Sequence, residues 1–223
     1  MEMKECVGMG SGSRSDPRVA KGQSVLHSPL MPWAILLLAG ATLFRCLRPW
    51  AGGPENFAPM AALALCAGLY LPRPWNWAGP LLALLVSDAV LNLYYGMGIL
   101  TGSTIAAAAA YLLIVALGNF LAMRPTWAGW LAGSLLGSVI FYLLTNTQAW
   151  WVLPGYEKSW AGWTQALTTG LPGYPPTWTF LRNSVISDLI FVAVFVVGVE
   201  WCARRFSSSV RPLRPSFTLR PAR

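Results

Sequence analysis

Between residues 31 and 203 the chain is a succession of long apolar runs separated by short polar or Pro-containing joints. A helix rises about 1.5 Å per residue, so crossing a hydrocarbon core about 30 Å thick takes about 20 mostly apolar residues. Six runs meet or approach that length. The first, 33–47, is closed by Arg45 and Arg48. The second, 57–71, is short and headed by Asn56, with Pro59 in a first helical turn where proline is tolerated. The others are 77–96, 99–123, 126–151 and 178–203. The pattern predicts an all-α, polytopic membrane protein of about six transmembrane helices. Between the last two runs lies a longer loop whose stretch 159–169, with Trp160 and Trp163, is expected in the membrane interface. Of the twelve tryptophans, Trp33, Trp50, Trp75, Trp77, Trp127, Trp150, Trp151 and Trp178 sit near run ends, as in an aromatic belt at headgroup depth.

The flanks differ from this middle. Residues 1–30 are polar, rich in Gly, Ser and charge, and read as a disordered cytoplasmic tail. Met31, where the apolar run begins, is a second candidate start. Ala39-Gly40-Ala41 has the small residues of a signal-peptide cleavage site, but the preceding tail and the continuing apolar stretch argue against cleavage. Residues 204–223 form a basic tail with six arginines and no acid. Basic residues concentrate on cytoplasmic flanks, and an even number of spans puts both termini there. The joints carrying Arg73 and Arg124 then face inward, in a bacterial cytoplasmic (inner) membrane. Arg45, Arg48 and Arg182 dissent from that rule and are candidates for another task.

Composition sharpens the class. The chain is 55% hydrophobic and 11% charged, with mean hydropathy +0.51, whereas soluble domains average about 25% charged residues. The net charge of +8 sits mostly in the tails, so it reads as attraction to anionic lipid headgroups and not as a nucleic-acid surface. Cys6, Cys46, Cys66 and Cys202 lie in unrelated segments, and His27 is alone, so no metal site is expected. There is no GxSxG, HExxH or phosphate-binding Gly loop. We therefore expect no catalytic residues, no cofactor and no ATP hydrolysis by this chain.

Ionisable groups inside a span cost roughly 2.5–3.5 kcal/mol each on insertion scales, so they mark a site or a buried pair. Here they are Asp88, Asp188 and Glu200, with Arg182 near a span start; Glu200 lies beside Arg204 and Arg205 and reads as interfacial. From the helical rise, Asp88 lies roughly 17 Å and Asn92 roughly 23 Å from the inner side, and Asp188 roughly 15 Å below the outer side. Asn56, Asn92, Asn146, Arg182, Asn183 and Arg45 all fall in the outer half, from five different segments. Asp88 and Asn92 share a face, as do Asn183, Ser184, Ser187 and Asp188. These placements predict a substrate pocket open to the outside, lined by Asp88, Asn92, Asn146, Arg182, Asn183 and Asp188, with Asn56 and Phe57 at its mouth. The competing expectation is structural: Arg182 pairs with Asp88 or Asp188, and the asparagines bind helices together. Gly129, Gly133 and Gly137 form two GxxxG steps, and Gly102, Ala106 and Ala110 repeat the spacing, which suits close helix packing within the chain or against a partner.

The stretch Asn56-Phe57-Ala58-Pro59-Met60, with Ser87-Asp88 and Arg182-Asn183-Ser184-Val185-Ile186-Ser187-Asp188, resembles an uncharacterised bacterial membrane family assigned to transport, across roughly residues 33–200. That family is similar to the S components of energy-coupling factor transporters. The resemblance implies a six-helix S-component-like bundle that binds an unknown small molecule near the outer face. It also implies docking on a membrane scaffold with ATPase subunits. An Ala-x-x-x-Ala docking pair expected on the first helix is missing, and Ala58 with Ala62 lies on the second. Ser87-Asp88 and Ser187-Asp188 hint at a three-plus-three duplication. The rival function is a structural or assembly membrane subunit that binds no ligand.

Overall fold

The computed structural model describes residues 31–51, 56–124 and 126–206. The expectations for the tails 1–30 and 207–223, and for the side chains of His27, Cys6, Cys202, Glu200, Arg204 and Arg205, lie outside the described residues. Seven helices and no strand occur among those described. They are α1 (Met31–Ala51), α2 (Met60–Tyr70), α3 (Trp75–Tyr94), α4 (Gly102–Leu121), α5 (Trp127–Val152), α6 (Trp160–Leu167) and α7 (Thr177–Phe206).

The polar residues at the run ends start the helices. Thr101, Thr126 and Ser159 cap α4, α5 and α6, their hydroxyls accepting from the amides of Thr104, Gly129 and Gly162. Each satisfies one of the donors that a first helical turn leaves without an intrahelical partner. The interfacial stretch expected at 159–169 is α6, where the Trp160 and Trp163 rings lie 4.7 Å apart.

Four of these helices, α3, α4, α5 and α7 as far as Gly198, are long and apolar enough to cross a bilayer. Their outward faces carry large apolar side chains such as Leu82, Val86, Leu113, Leu136 and Val194, while Ser87, Asp88, Asn92, Ser138, Asn183 and Asp188 are buried. An apolar exterior around a polar-seeded interior is stable only with lipid as solvent. The chain is a multi-pass membrane protein.

The second run departs from expectation. It was expected to span at 57–71, but α2 has 11 residues, about 17 Å of helix, too short to cross. The reason is local. Asn56 sits at φ 56°, the chain through Phe57 and Ala58 is not helical, and Pro59 only begins the helix. What this segment lacks in length it gains in burial, since every residue from Met60 to Gly68 is buried. Four of the six expected spans are thus present at full length, and α2 is a half-helix enclosed by the others.

Contacts fix the directions. Leu38 touches Gly79, Arg45 meets Asp88, and Trp50 meets Tyr94, so α1 and α3 run parallel. Gly133 faces Leu121 while Gly137 faces Ile114, so α5 runs antiparallel to α4. Ala62 meets Asp188 and Tyr70 stacks on Phe195, so α2 and α7 run parallel. The tightest approach is between α2 and α4. A Cβ on Gly68 would lie 2.4 Å from the Val115 carbonyl oxygen, and one on Gly118 would lie 2.4 Å from that of Leu65. Two bare backbones in contact there let α2 sink into the centre of the bundle.

Candidate functional site

The enclosed half-helix creates an electrostatic problem and the rest of the chain answers it. A helix N-terminus presents amides without intrahelical partners and a partial positive charge of about half a unit. Pro59, at the position before α2, offers no side-chain cap. Asp188, far along the sequence on α7, takes that role: its Oδ1 accepts the Ala62 amide at 3.0 Å. The Ser138 hydroxyl, from α5, is 2.7 Å from Asp188 Oδ2 and also 3.1 Å from the Ser134 carbonyl. Asp188 is 1% exposed, so one carboxylate ties α2, α5 and α7 together in the interior.

A second charge cluster lies beside it. Arg45 Nη1 is 2.6 Å from Asp88 Oδ1 and donates to Ser87 Oγ at 2.5 Å. The Ser87 hydroxyl in turn reaches the carbonyls of Ala83 and Leu84 on its own helix. The pair belongs to α1 and α3, and the parallel run of those helices places it at one depth.

Between the two clusters is a cavity of about 60 Å³, lined among others by Arg45, Asn56, Met60, Tyr111, Ser184 and Asp188. It adjoins a larger recess of about 260 Å³, bounded by Arg45, Arg48, Asn56, Leu91 and Tyr95; Arg45, Asn56 and Ala58 line both. A water takes about 30 Å³ of liquid, so the inner cavity holds a small polar group and the recess a small organic molecule. The break before α2 and the cavity coincide. Non-helical backbone at membrane depth is tolerated where it lines a cavity, and half-helix termini in membrane proteins are places where charged groups gather.

The expected site residues divide. Asn56 and Asp188 line the cavity, and Asp88 holds the arginine that does. The Asn56 carbonyl also accepts from Ser184 Oγ at 3.4 Å. Phe57 forms a trio with Phe44 and Phe191, with ring centroids 5.8–6.5 Å apart, at the cavity's edge. Asn92 is buried but donates to the Ile99 carbonyl at 3.1 Å, tying down the α3–α4 turn. Asn146 donates to Tyr142 of its own helix at 2.8 Å. Arg182 does not pair with either aspartate as the structural expectation had it. It is exposed, with its guanidinium 5.5 Å from the centre of the Trp178 ring, and it donates to Asn183 Oδ1 at 3.3 Å. A guanidinium one turn from the helix start reaches the interface, where such cations are cheap.

Sequence reasoning placed Arg45 in the outer half without giving it a site role, although its breach of the charge rule was the signal. Tyr111, the single phenol within α4, lies 2% exposed and stacks on Phe141 at 5.6 Å. Ser138 carried no signal beyond sharing a face with Ser134. The two Ser-Asp pairs also prove unlike: Ser87 binds Arg45, whereas Ser187 Oγ is buried with no hydrogen-bond partner among the described residues. No group of three or more metal-ligating side chains occurs among them either.

No curated protein and no solved structure matches the chain. A family model described as a family of unknown function, DUF6580, matches residues 26–212, and on that match the chain belongs to this family.

Proposed function

We propose that this chain is a membrane transport protein that captures a small molecule in the cavity between Arg45 and Asp188, in the manner of an S component. The observation that carries the reading is the half-helix α2, whose N-terminus opens inside the bundle on a polar, hydrogen-bonding cavity that shares Arg45, Asn56 and Ala58 with a wider recess. A chain that needed only to be held together would gain nothing from breaking a span there, since a full helix satisfies its own backbone. In this reading the recess faces outward and both termini face the cytoplasm of a bacterial inner membrane. A solute enters past Tyr95, and its polar end reaches Tyr111 and Ser184. Energy comes from an ion gradient or from a docked scaffold with ATPase subunits, because the sequence has no phosphate-binding loop of its own.

One observation favours a second reading, a structural or assembly subunit: both aspartates already have partners within the chain. The two are separated by a thermal-shift screen of the purified protein against vitamins, nucleobases and amino acids. Capture predicts at least one stabilising solute whose shift disappears in Tyr111→Phe, a variant that removes only a hydroxyl and leaves the unliganded melting temperature in place. Absence of any stabiliser, together with co-purification of a stoichiometric membrane partner, would favour the assembly subunit.

A further inference from the structure

A third space lies on the other side of the aromatic trio. It is a crevice of about 260 Å³ between α1, α2 and α7, lined by apolar side chains that include Leu37, Phe44, Ala62, Phe191 and Val194. It exists because α1 packs on α3 and only lightly on α2, leaving a gap to α7. Gly40 borders that gap, and a Cβ built there would meet nothing within 4 Å. The crevice and the polar cavity are nearly back to back. Phe44 and Phe191 line the crevice, and Phe57 rests against both at 6.5 and 6.2 Å, next to Asn56 and Ala58 of the cavity. Ala62 borders the crevice, and its amide binds Asp188.

We infer that the captured molecule is an amphiphile, with one apolar chain in this crevice and a small non-anionic head, an amine or alcohol, in the polar cavity. The inference rests on the capture reading and names its substrate class. Size favours a single chain. At about 30 Å³ per water-sized group the crevice holds roughly eight or nine such groups, whereas a single turn of a partner helix, about 10 Å across and about 5.4 Å long, already exceeds its volume. Charge selects the head. Arg45 is matched by Asp88, and Asp188 already holds the Ala62 amide and the Ser138 hydroxyl, so the cavity has no unmatched cation to receive a carboxylate or phosphate. Tyr111, Asn56 and Ser184 provide the hydrogen bonds that hold an amine or hydroxyl. Entry is lateral, from the bilayer, with Phe44, Phe57 and Phe191 parting to admit the head.

The test is equilibrium binding of radiolabelled dodecylamine, dodecanol and dodecanoate, and of ethanolamine as a head without the chain, to the full-length protein in nanodiscs. Saturable binding of dodecylamine or dodecanol over dodecanoate is expected. Gly40→Leu fills open space in a helix, so it leaves folding intact; its side chain occupies the crevice and denies the ligand's chain its close-packed contacts there, which weakens binding on the order of tenfold. Tyr111→Phe weakens it as well. Chain binding that ignores the head and both variants is ordinary lipid contact, and overturns the inference while leaving solute capture standing. Tyr111-dependent binding of ethanolamine or of a hit from the solute screen, unaffected by Gly40→Leu, also overturns it and keeps the capture reading. No Tyr111-dependent binding of any probe sinks both.

Discussion

At the scale of single residues, the interior is organised by which polar atoms find a partner across helices. Ser134 and Ser138 lie one turn apart on the same face of α5, yet only Ser138 reaches the Asp188 carboxylate, at 2.7 Å, while Ser134 Oγ is buried without a partner among the described residues. Interhelical hydrogen bonds in membranes average about 0.6 kcal/mol and reach about 1.7, and a charged acceptor puts this one at the upper end. Ser138→Ala is therefore expected to lower stability by about 1.5 kcal/mol, and Ser134→Ala to leave it unchanged or slightly raised. Reversible unfolding in mixed micelles measures both. Equal losses for the two would show that the Asp188 bond adds nothing beyond packing. These residues also mark the limit of sequence reading. Asp88 and Asp188 were legible as candidates because a charge in an apolar run is costly wherever it points. Their partners were not, since Ser138, Tyr111 and the Ala62 amide acquire meaning only from the helix that faces them.

At the scale of elements, the sequence revealed the glycine repeat on α5 but not the contact that sets the bundle. Gly133 and Gly137 are spaced for close approach, and they do face α2 and α4, yet what they meet is side chain: Leu121, Leu65 and Ile114. Backbone meets backbone at Gly68 and Gly118, neither of which has another glycine one turn away, so neither shows as a motif. Gly118→Ala is expected to force α2 and α4 apart and cost about 1–3 kcal/mol, as overpacking does. Gly137→Ala brings its Cβ to an ordinary 3.5 Å from Ile114 and gains up to about 1 kcal/mol of helix propensity. Thermal melts of the two variants should move in opposite directions. A common direction would mean that the α2–α4 crossing is not the tight joint of the bundle. The half-helix was foreseeable only in part: the run is short, the weakest of the six as a span, but where its helix begins was not legible. Pro59 is acceptable in a first turn, so nothing in the apolar count of the run says that the turn before it is lost. Only the left-handed backbone at Asn56 and the buried carboxylate waiting on α7 make the break intelligible.

At the scale of the whole molecule, helix directions carry a statement about topology that span-counting does not. Since α1 and α3 run parallel, the chain must return between Ala51 and Trp75 to the side on which α1 began, although α2 is too short to make the crossing alone. The non-helical residues 56–59 before it extend that path. Directions therefore alternate through α1, α2, α3, α4 and α5, with α7 again parallel to α2, so the half-helix does not change the parity expected for six passes. Ser103, at the start of α4, and Arg124, just past its end, then lie at opposite ends of that helix, both exposed. In a background carrying Cys6→Ser, Cys46→Ser and Cys202→Ser, with the fully buried Cys66 retained, a membrane-impermeant maleimide applied to intact spheroplasts is expected to label Ser103→Cys and not Arg124→Cys. The reverse pattern would invert the protein and move the recess beside Arg45 to the cytoplasmic side, which contradicts the proposed capture from outside. Labelling of both from outside would contradict α4 as a span, and with it the geometry that buries α2. The arginines give the prior for the first outcome: Arg73 and Arg124 sit at the end of the bundle where α2 and α4 finish, whereas Arg45, at the other end, is matched by Asp88 and no longer counts against an outward-facing site.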